Sequence, residues 1–156
     1  MHTDVTNFIQ NTSLIASSGQ PTREQLGAIS AAGYEAVVNL AMPNHELAIA
    51  DEGAIVAGWG GRYLHLPVPF DNPSVDDAKL FCHTMRGLHG KKVWVHCILN
   101  YRASAFLYHY FSKVEGLPEA VARSEMFDTW QPDNVWQAFL ALTRAQLDLS
   151  PNLSST

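Results

Sequence analysis

The stretch that most constrains the fold runs from Lys92 to Ser104, where strand-forming residues give way within a few positions to helical spacing. Val93-Trp94-Val95 reads as the centre of a buried strand over Lys92–His96, because a continuous β-branched and aromatic run suits a sheet covered on both faces. From Ala103 to about Val114 the apolar residues Phe106, Leu107, Tyr110 and Val114 recur at helical spacing. A buried strand feeding a helix through so short a loop is the building unit of an α/β fold.

The same alternation is repeated upstream. Ser18-Gly19-Gln20-Pro21 reads as a turn, and Thr22 with Gln25 has the spacing of a capping box. The helix it opens carries Leu26, Ile29 and Ala32 on one face and closes at Gly33. Glu35–Leu40 reads as a strand, Glu46–Ala57 is helix-compatible, and Arg62–Pro67 reads as another strand. Pro69-Phe70-Asp71-Asn72-Pro73 is a loop. Ser74 caps a helix running to about Leu88, with Ala78, Phe81, Met85 and Leu88 turned inward. Pro118 and Pro132 open two further helices, so the last third is helical, with Trp130, Trp136 and Phe139 as core residues. The expectation is an α/β fold with a central, mostly parallel sheet flanked by helices, forming one domain over residues 1–150 with a polar tail over 151–156.

At 156 residues, 47% hydrophobic and 16% charged, such a chain buries a core without disulfides or metals. A formal net charge of −5 argues against nucleic acid or an anionic membrane as the main partner, since both demand a basic face. Two cysteines are too few for a disulfide scaffold. No apolar run approaches the roughly 18 residues of a membrane span, and Met1-His2-Thr3-Asp4 lacks the features of a signal peptide. A cytoplasmic location is the expectation, with a leader removed upstream left open. His96-Cys97 has no metal-ligand spacing and the other histidines form no ligand motif, so neither metal nor cofactor is expected.

The chemistry is concentrated in His96-Cys97-Ile98-Leu99-Asn100-Tyr101-Arg102-Ala103-Ser104. Ligand sites in open α/β sheets gather at the carboxyl ends of strands, and a helix N-terminus offers free N–H groups to an anion. The same surroundings lower a thiol's pKa below its ordinary value of about 8.5. Arg102 adds a permanent charge and a planar fork, so Cys97 and Arg102 pair a nucleophile with an oxyanion clamp. The bland alternative makes Cys97 a small buried hydrophobe, but it leaves Arg102 badly placed at a helix N-terminus. His96 is either a core histidine or a brace for the loop. Asp71, in the proline-rich loop after a strand, belongs at the same sheet edge and is a candidate general acid or an Asx-turn residue. Its competitors Asp76 and Asp77 fall in a first helical turn, where carboxylates are simply stabilising.

With His96-Cys97, Arg102 and Ser104, the sequence resembles the cysteine-dependent phosphatases of the dual-specificity type. It is most similar to a bacterial phosphatase-like family that occurs alone or fused to β-lactamase-like hydrolases. Ser18-Gly19-Gln20-Pro21-Thr22, Gly33-Tyr34 and Val37-Val38-Asn39-Leu40 resemble that family's amino-terminal pattern, and the similarity runs from about Leu14 to about Ser112. The resemblance implies a phosphatase fold and a phosphorylated small molecule or phosphoprotein as substrate. It further implies attack on phosphorus by Cys97, binding of the equatorial oxygens by Arg102 and protonation of the leaving group by Asp71.

The loop departs from this pattern. Four residues, Ile98, Leu99, Asn100 and Tyr101, separate cysteine from arginine, where these phosphatases usually place one more and rhodanese-type sulfurtransferases often have this spacing. It has no glycine to supply positive φ, for which Asn100 is the best substitute, and Ser104 follows the arginine by two positions. Ile98, Leu99 and Tyr101 suggest a loop packed against protein. Three readings follow: a phosphatase working through a phosphocysteine, a sulfurtransferase carrying a persulfide on Cys97, or a weakly active anion-binding or redox module.

Overall fold

The strand expected before Cys97 is the centre of the sheet. In a computed structural model describing Met1–Leu149, five strands form one sheet: β1 (Ile9–Gln10), β2 (Ile15–Ser18), β3 (Ala36–Asn39), β4 (Arg62–His65) and β5 (Val93–His96). The order is β1-β2-β5-β3-β4, with β1 antiparallel to β2 and every other pairing parallel. Each residue of β5 is matched on both sides, Trp94 lying between Ala16 and Val37 and His96 between Ser18 and Asn39. All four residues of β2, β3 and β5 are buried, as strands covered on both faces must be. β1 and β2 carried too little apolar signal to be read from the sequence. Ser17 and Ser18 form a strand because β5 supplies their pairing.

Among the described residues six α-helices cover the sheet: α1 (Arg23–Ala31), α2 (Glu52–Gly58), α3 (Val75–Gly87), α4 (Tyr101–His109), α5 (Glu119–Ala122) and α6 (Asn134–Leu140). Strand alternation divides the core in two. Ala16, Val37 and Trp94 pack with Leu26 and Ile29 of α1 and Val56 of α2. Ile15, Val38, Val93 and Val95 pack with Phe81 and Met85 of α3, Phe106 of α4, and Trp136 and Phe139 of α6. Capping boxes close at Thr22–Gln25 and at Ser74–Asp77, and Gly33 takes a positive φ of 91° just past α1. Trp130, Trp136 and Phe139 are all buried.

Three boundaries differ from the sequence expectation. The helix expected over Glu46–Ala57 is only α2, because Pro43 and Asn44 hold the preceding segment in turns. α4 starts two residues early, at Tyr101, since Asn100 adopts a left-handed backbone that turns the chain directly into the helix. Its continuation, Tyr110–Val114, widens into a π-helical turn in which Glu115 N donates to Tyr110 O over 3.0 Å. The polar tail expected over residues 151–156 lies outside the described residues.

Candidate active site

β5 delivers His96 and Cys97 to the carboxyl edge of the sheet, and α4 starts four residues beyond the cysteine. Trp94 and His96 share a face of the strand, so His96 points towards α2 and Cys97 opens the loop. The thiol is 1% exposed. Asn100, with φ 71°, serves the purpose of the missing glycine and begins α4 without capping it through its side chain. The first-turn N–H groups of α4 therefore face the loop without helical acceptors. Asn100 instead donates from Nδ2 to Asn7 O over 2.8 Å, while Asn7 Nδ2 donates to Leu99 O over 2.9 Å.

The loop is pressed against the chain that follows β2. Gln20 N donates to Ile98 O over 3.0 Å and Cys97 N to Ser18 O over 3.3 Å. Gly19 is required there, because a Cβ at this position would lie 2.3 Å from Ile98 O. Ile98 is buried, but Leu99, expected to pack, is 44% exposed. Its backbone is spent on the pairing with Gly19 and on Asn7, so the side chain is turned outward. Ser104 Oγ lies between Asn100 Oδ1 at 3.2 Å and Ser124 Oγ at 2.9 Å, a brace beneath the loop.

Arg102 falls in the first turn of α4 and is only 7% exposed. Its Nη1 donates to Val68 O over 2.9 Å, its guanidinium lies 5.6 Å from the Phe70 ring centroid, and its Nε is buried without a partner. A cationic donor buried at a helix N-terminus is chemically suited to an anion. Tyr101, beside it, stacks on Trp130 at 4.9 Å with the rings 2° from parallel. Asp71 follows Phe70 in an exposed loop, which Arg102 holds through Val68 and Trp136 Nε1 holds through Phe70 O at 2.8 Å. Among the described residues the Asp71 carboxylate has no hydrogen-bond partner in the protein. Asp77 closes the Ser74 capping box and Asp76 lies beside it in the first turn of α3.

Behind the thiol lies a buried polar chain that the sequence did not reveal. His96 Nδ1 is 3.0 Å from Cys97 O, and His96 Nε2 is 2.6 Å from Glu52 Oε2. Gln20 Nε2 donates to Glu52 Oε1 over 2.8 Å. Burial pushes the Glu52 carboxyl upward, but the hydrogen bond and charge of His96, the Gln20 amide and His65 outweigh it and hold Glu52 below the usual carboxylate range. Asp51-Glu52 at a helix start reads as ordinary solvated acid. The one local clue is Gly53, where a Cβ would come 2.9 Å from the Tyr63 ring, showing how closely α2 approaches β4. Cys82, by contrast, is a core thiol of α3 that burial pushes up to about 12. Among the described residues no group of three or more His, Cys, Asp or Glu is placed to hold a metal, and no helix is long and apolar enough to cross a membrane.

No protein-family model and no curated protein matches the sequence. Solved structures do. The DUF442 protein of Shewanella putrefaciens CN-32, named as a phosphatase, is 35% identical with a TM-score of 0.80, covering 88% of this chain and 90% of its own. Tk-PTP in its active form is 20% identical with a TM-score of 0.71, covering 92% of this chain and 97% of its own. TpbA of P. aeruginosa is 18% identical with a TM-score of 0.70, covering 92% of this chain and 89% of its own, and a variant of it has been solved with phosphotyrosine. The last two establish the cysteine-dependent phosphatase fold, and the first establishes kinship.

Proposed function

Since this chain belongs to the DUF442 family of phosphatases, we propose that it hydrolyses a phosphomonoester through a phosphocysteine on Cys97, with Arg102 as oxyanion clamp and Asp71 as general acid. The Cys97 thiolate attacks phosphorus and forms the S–P bond as the ester O–P bond breaks. Asp71 gives its proton to the departing oxygen, so the alcohol or phenol leaves neutral. Water then attacks the phosphocysteine, Asp71 takes a proton from it, and inorganic phosphate and the thiolate are released. Throughout, the equatorial oxygens lie against the first-turn N–H groups of α4 and the free edge of the Arg102 guanidinium, donors fixed before the reaction begins.

The observation that carries this reading is the disposition of Arg102. One end of its fork is anchored on Val68 O, and its Nε is buried, unpartnered and at the start of α4. A permanently charged fork buried at a helix N-terminus, with one end anchored and Nε free to donate, is suited to an oxyanion. The substrate class is a phosphorylated small molecule or phosphoprotein, as in the phosphotyrosine complex of TpbA. A reducing compartment, where the thiol persists, is the proposed place of action, with neither nucleic acid nor membrane as partner.

The test is hydrolysis of p-nitrophenyl phosphate from mildly acidic to mildly alkaline pH, with Cys97→Ser alongside. The expected result is turnover that the substitution lowers by about a thousandfold or more. Wild-type protein no faster than the variant would overturn the reading. A positive thiosulfate–cyanide assay on the same preparation would then assign the four-residue loop to sulfur transfer.

A further inference from the structure

Among the described residues no hydrogen bond joins two members of the loop from Cys97 to Asn100, so partners outside it set its shape. The partner that comes from furthest along the chain is Asn7. Its Nδ2 donates to Leu99 O over 2.9 Å, and Asn100 Nδ2 donates to Asn7 O over 2.8 Å, so two asparagines 93 positions apart exchange bonds. Both amides are oriented without ambiguity, since a backbone carbonyl only accepts. Both residues are left-handed, with φ 52° at Asn7 and 71° at Asn100, a conformation that asparagine tolerates and most side chains resist. One residue earlier, Thr6 O accepts from Gly19 N over 2.7 Å, so the same segment steadies the chain whose Gln20 N–H holds Ile98 O.

The packing that holds this segment lies on either side of Asn7. Val5 is buried in the cluster that contains Leu26 and Ile29 of α1, and Phe8 stacks on Trp94 with centroids 5.4 Å apart and rings 26° from parallel. His2, in a short 3-10 helix over His2–Asp4, meets the same indole edge-on with centroids 6.1 Å apart. Thr6 and Asn7 between these anchors are exposed and belong to neither core cluster. A solvent-facing amide adds little to folding stability, because water replaces its bonds when they break. The two bonds of Asn7 therefore act on the loop and not on the fold.

We propose that Asn7 is a positioning residue of the anion site, which from outside the loop fixes the Leu99–Asn100 turn and, through it, the first turn of α4 with Arg102. The Leu99 carbonyl belongs to the planar peptide that precedes Asn100, so its direction sets the Asn100 φ. Asn100 O in turn accepts from Ser104 N over 3.1 Å, the bond that opens α4. With Leu99 O and Asn100 Nδ2 both tied to Asn7, the turn cannot relax to an extended or right-handed backbone without breaking two bonds. The first-turn N–H groups and the Arg102 fork then hold one direction before an anion arrives, as an oxyanion clamp requires.

This role rests on the loop being an anion site, as the proposed phosphatase requires, and the two are tested separately and without turnover. Asn7→Gly keeps the left-handed backbone and the carbonyl that Asn100 uses, and deletes only the amide donor. Orthovanadate binding by calorimetry, amide exchange at Ser104 by NMR and urea unfolding are measured on wild type and variant. The vanadate Kd is expected to rise about tenfold. Exchange at Ser104 is expected to quicken about tenfold as well, while Trp94 in the centre of the sheet and the unfolding midpoint stay close to wild type. Unchanged vanadate affinity, unchanged exchange at Ser104, or a rise shared equally with Trp94 would overturn the proposal. A wild type that binds no vanadate removes the anion site itself, and the exchange contrast alone then decides whether Asn7 sets the turn. Should Asn7→Gly fail to fold, Asn7→Asp keeps the shape of the side chain and loses the donor. It must show the same selective rise at Ser104, and its absence would count against the proposal equally.

Discussion

The thiol loop and the loop of Asp71, the proposed acid, meet at Arg102, yet they are built on opposite principles. From Cys97 to Asn100 each backbone carbonyl accepts a hydrogen bond and the Asn100 side chain is held, by Gln20 and Asn7 from outside and by His96 and Ser104 from beneath. The loop carrying Asp71 is exposed and tied at two points, Val68 O to Arg102 and Phe70 O to Trp136. The difference teaches which steps of the proposed reaction are preorganised. Oxyanion binding has to be ready before the substrate arrives, since stabilisation that must first be assembled is lost from the transition state. Proton delivery needs only one well-placed carboxyl and tolerates a lightly tethered segment open to leaving groups of different shapes.

The largest effect that sharpens this contrast is Asp71→Asn. In the proposed reaction it lowers kcat for alkyl phosphates and poorly activated aryl phosphates by about 10²–10⁴-fold, while aryl phosphates with strongly acidic leaving groups lose far less. Binding of vanadate stays as in wild type, because the thiol loop is untouched. A uniform loss across leaving groups, or weakened vanadate binding, would merge the two loops into one unit. Gly19→Ala is the converse experiment. The added methyl cannot stay 2.3 Å from Ile98 O, so the loop must retreat from its support. Stability is expected to fall by about 1–3 kcal/mol, and vanadate affinity and kcat to fall roughly tenfold together. The leaving-group dependence is expected to remain that of wild type. Denaturant unfolding and vanadate titration on one preparation read both halves, and unchanged affinity would show the loop to be less constrained than its contacts imply.

What the sequence disclosed of these two loops follows from how each is held. Cys97, Arg102 and the left-handed Asn100 are adjacent in the chain, and the strand, loop and helix that place them are all local signals. The family fold was legible for the same reason, because β3, β5, α1 and α3 each carry their own periodicity or cap. The supports come from Asn7, Gln20 and Glu52, far away in the sequence, and none differs there from an ordinary surface residue. β1 and β2 stayed hidden likewise, since four residues with two serines become a strand only where a neighbour completes the pairing. The early start of α4 is not legible locally, because Asn100 reads as a loop residue, whereas its φ of 71° is the hinge into the helix.

Trp136→Phe is the smallest and most selective change. The indole is fully buried among Phe106, Trp130 and Phe139, so its N–H has one evident task, which is to hold Phe70 O one residue before Asp71. Phenylalanine keeps most of the packing and deletes the donor. If the bond serves only to satisfy a buried polar atom, stability falls by about 1–3 kcal/mol and kinetics do not change. If it fixes the acid loop, kcat falls by roughly tenfold at most, and only for the leaving groups that Asp71→Asn also slows. In the Asp71→Asn background the second substitution should then have no further effect, since a tether matters only while it has a proton to place. An equal loss in both backgrounds would mean that Trp136 reaches the chemistry through Arg102 and Phe70 instead, and the acid loop would have to be counted as part of the oxyanion site.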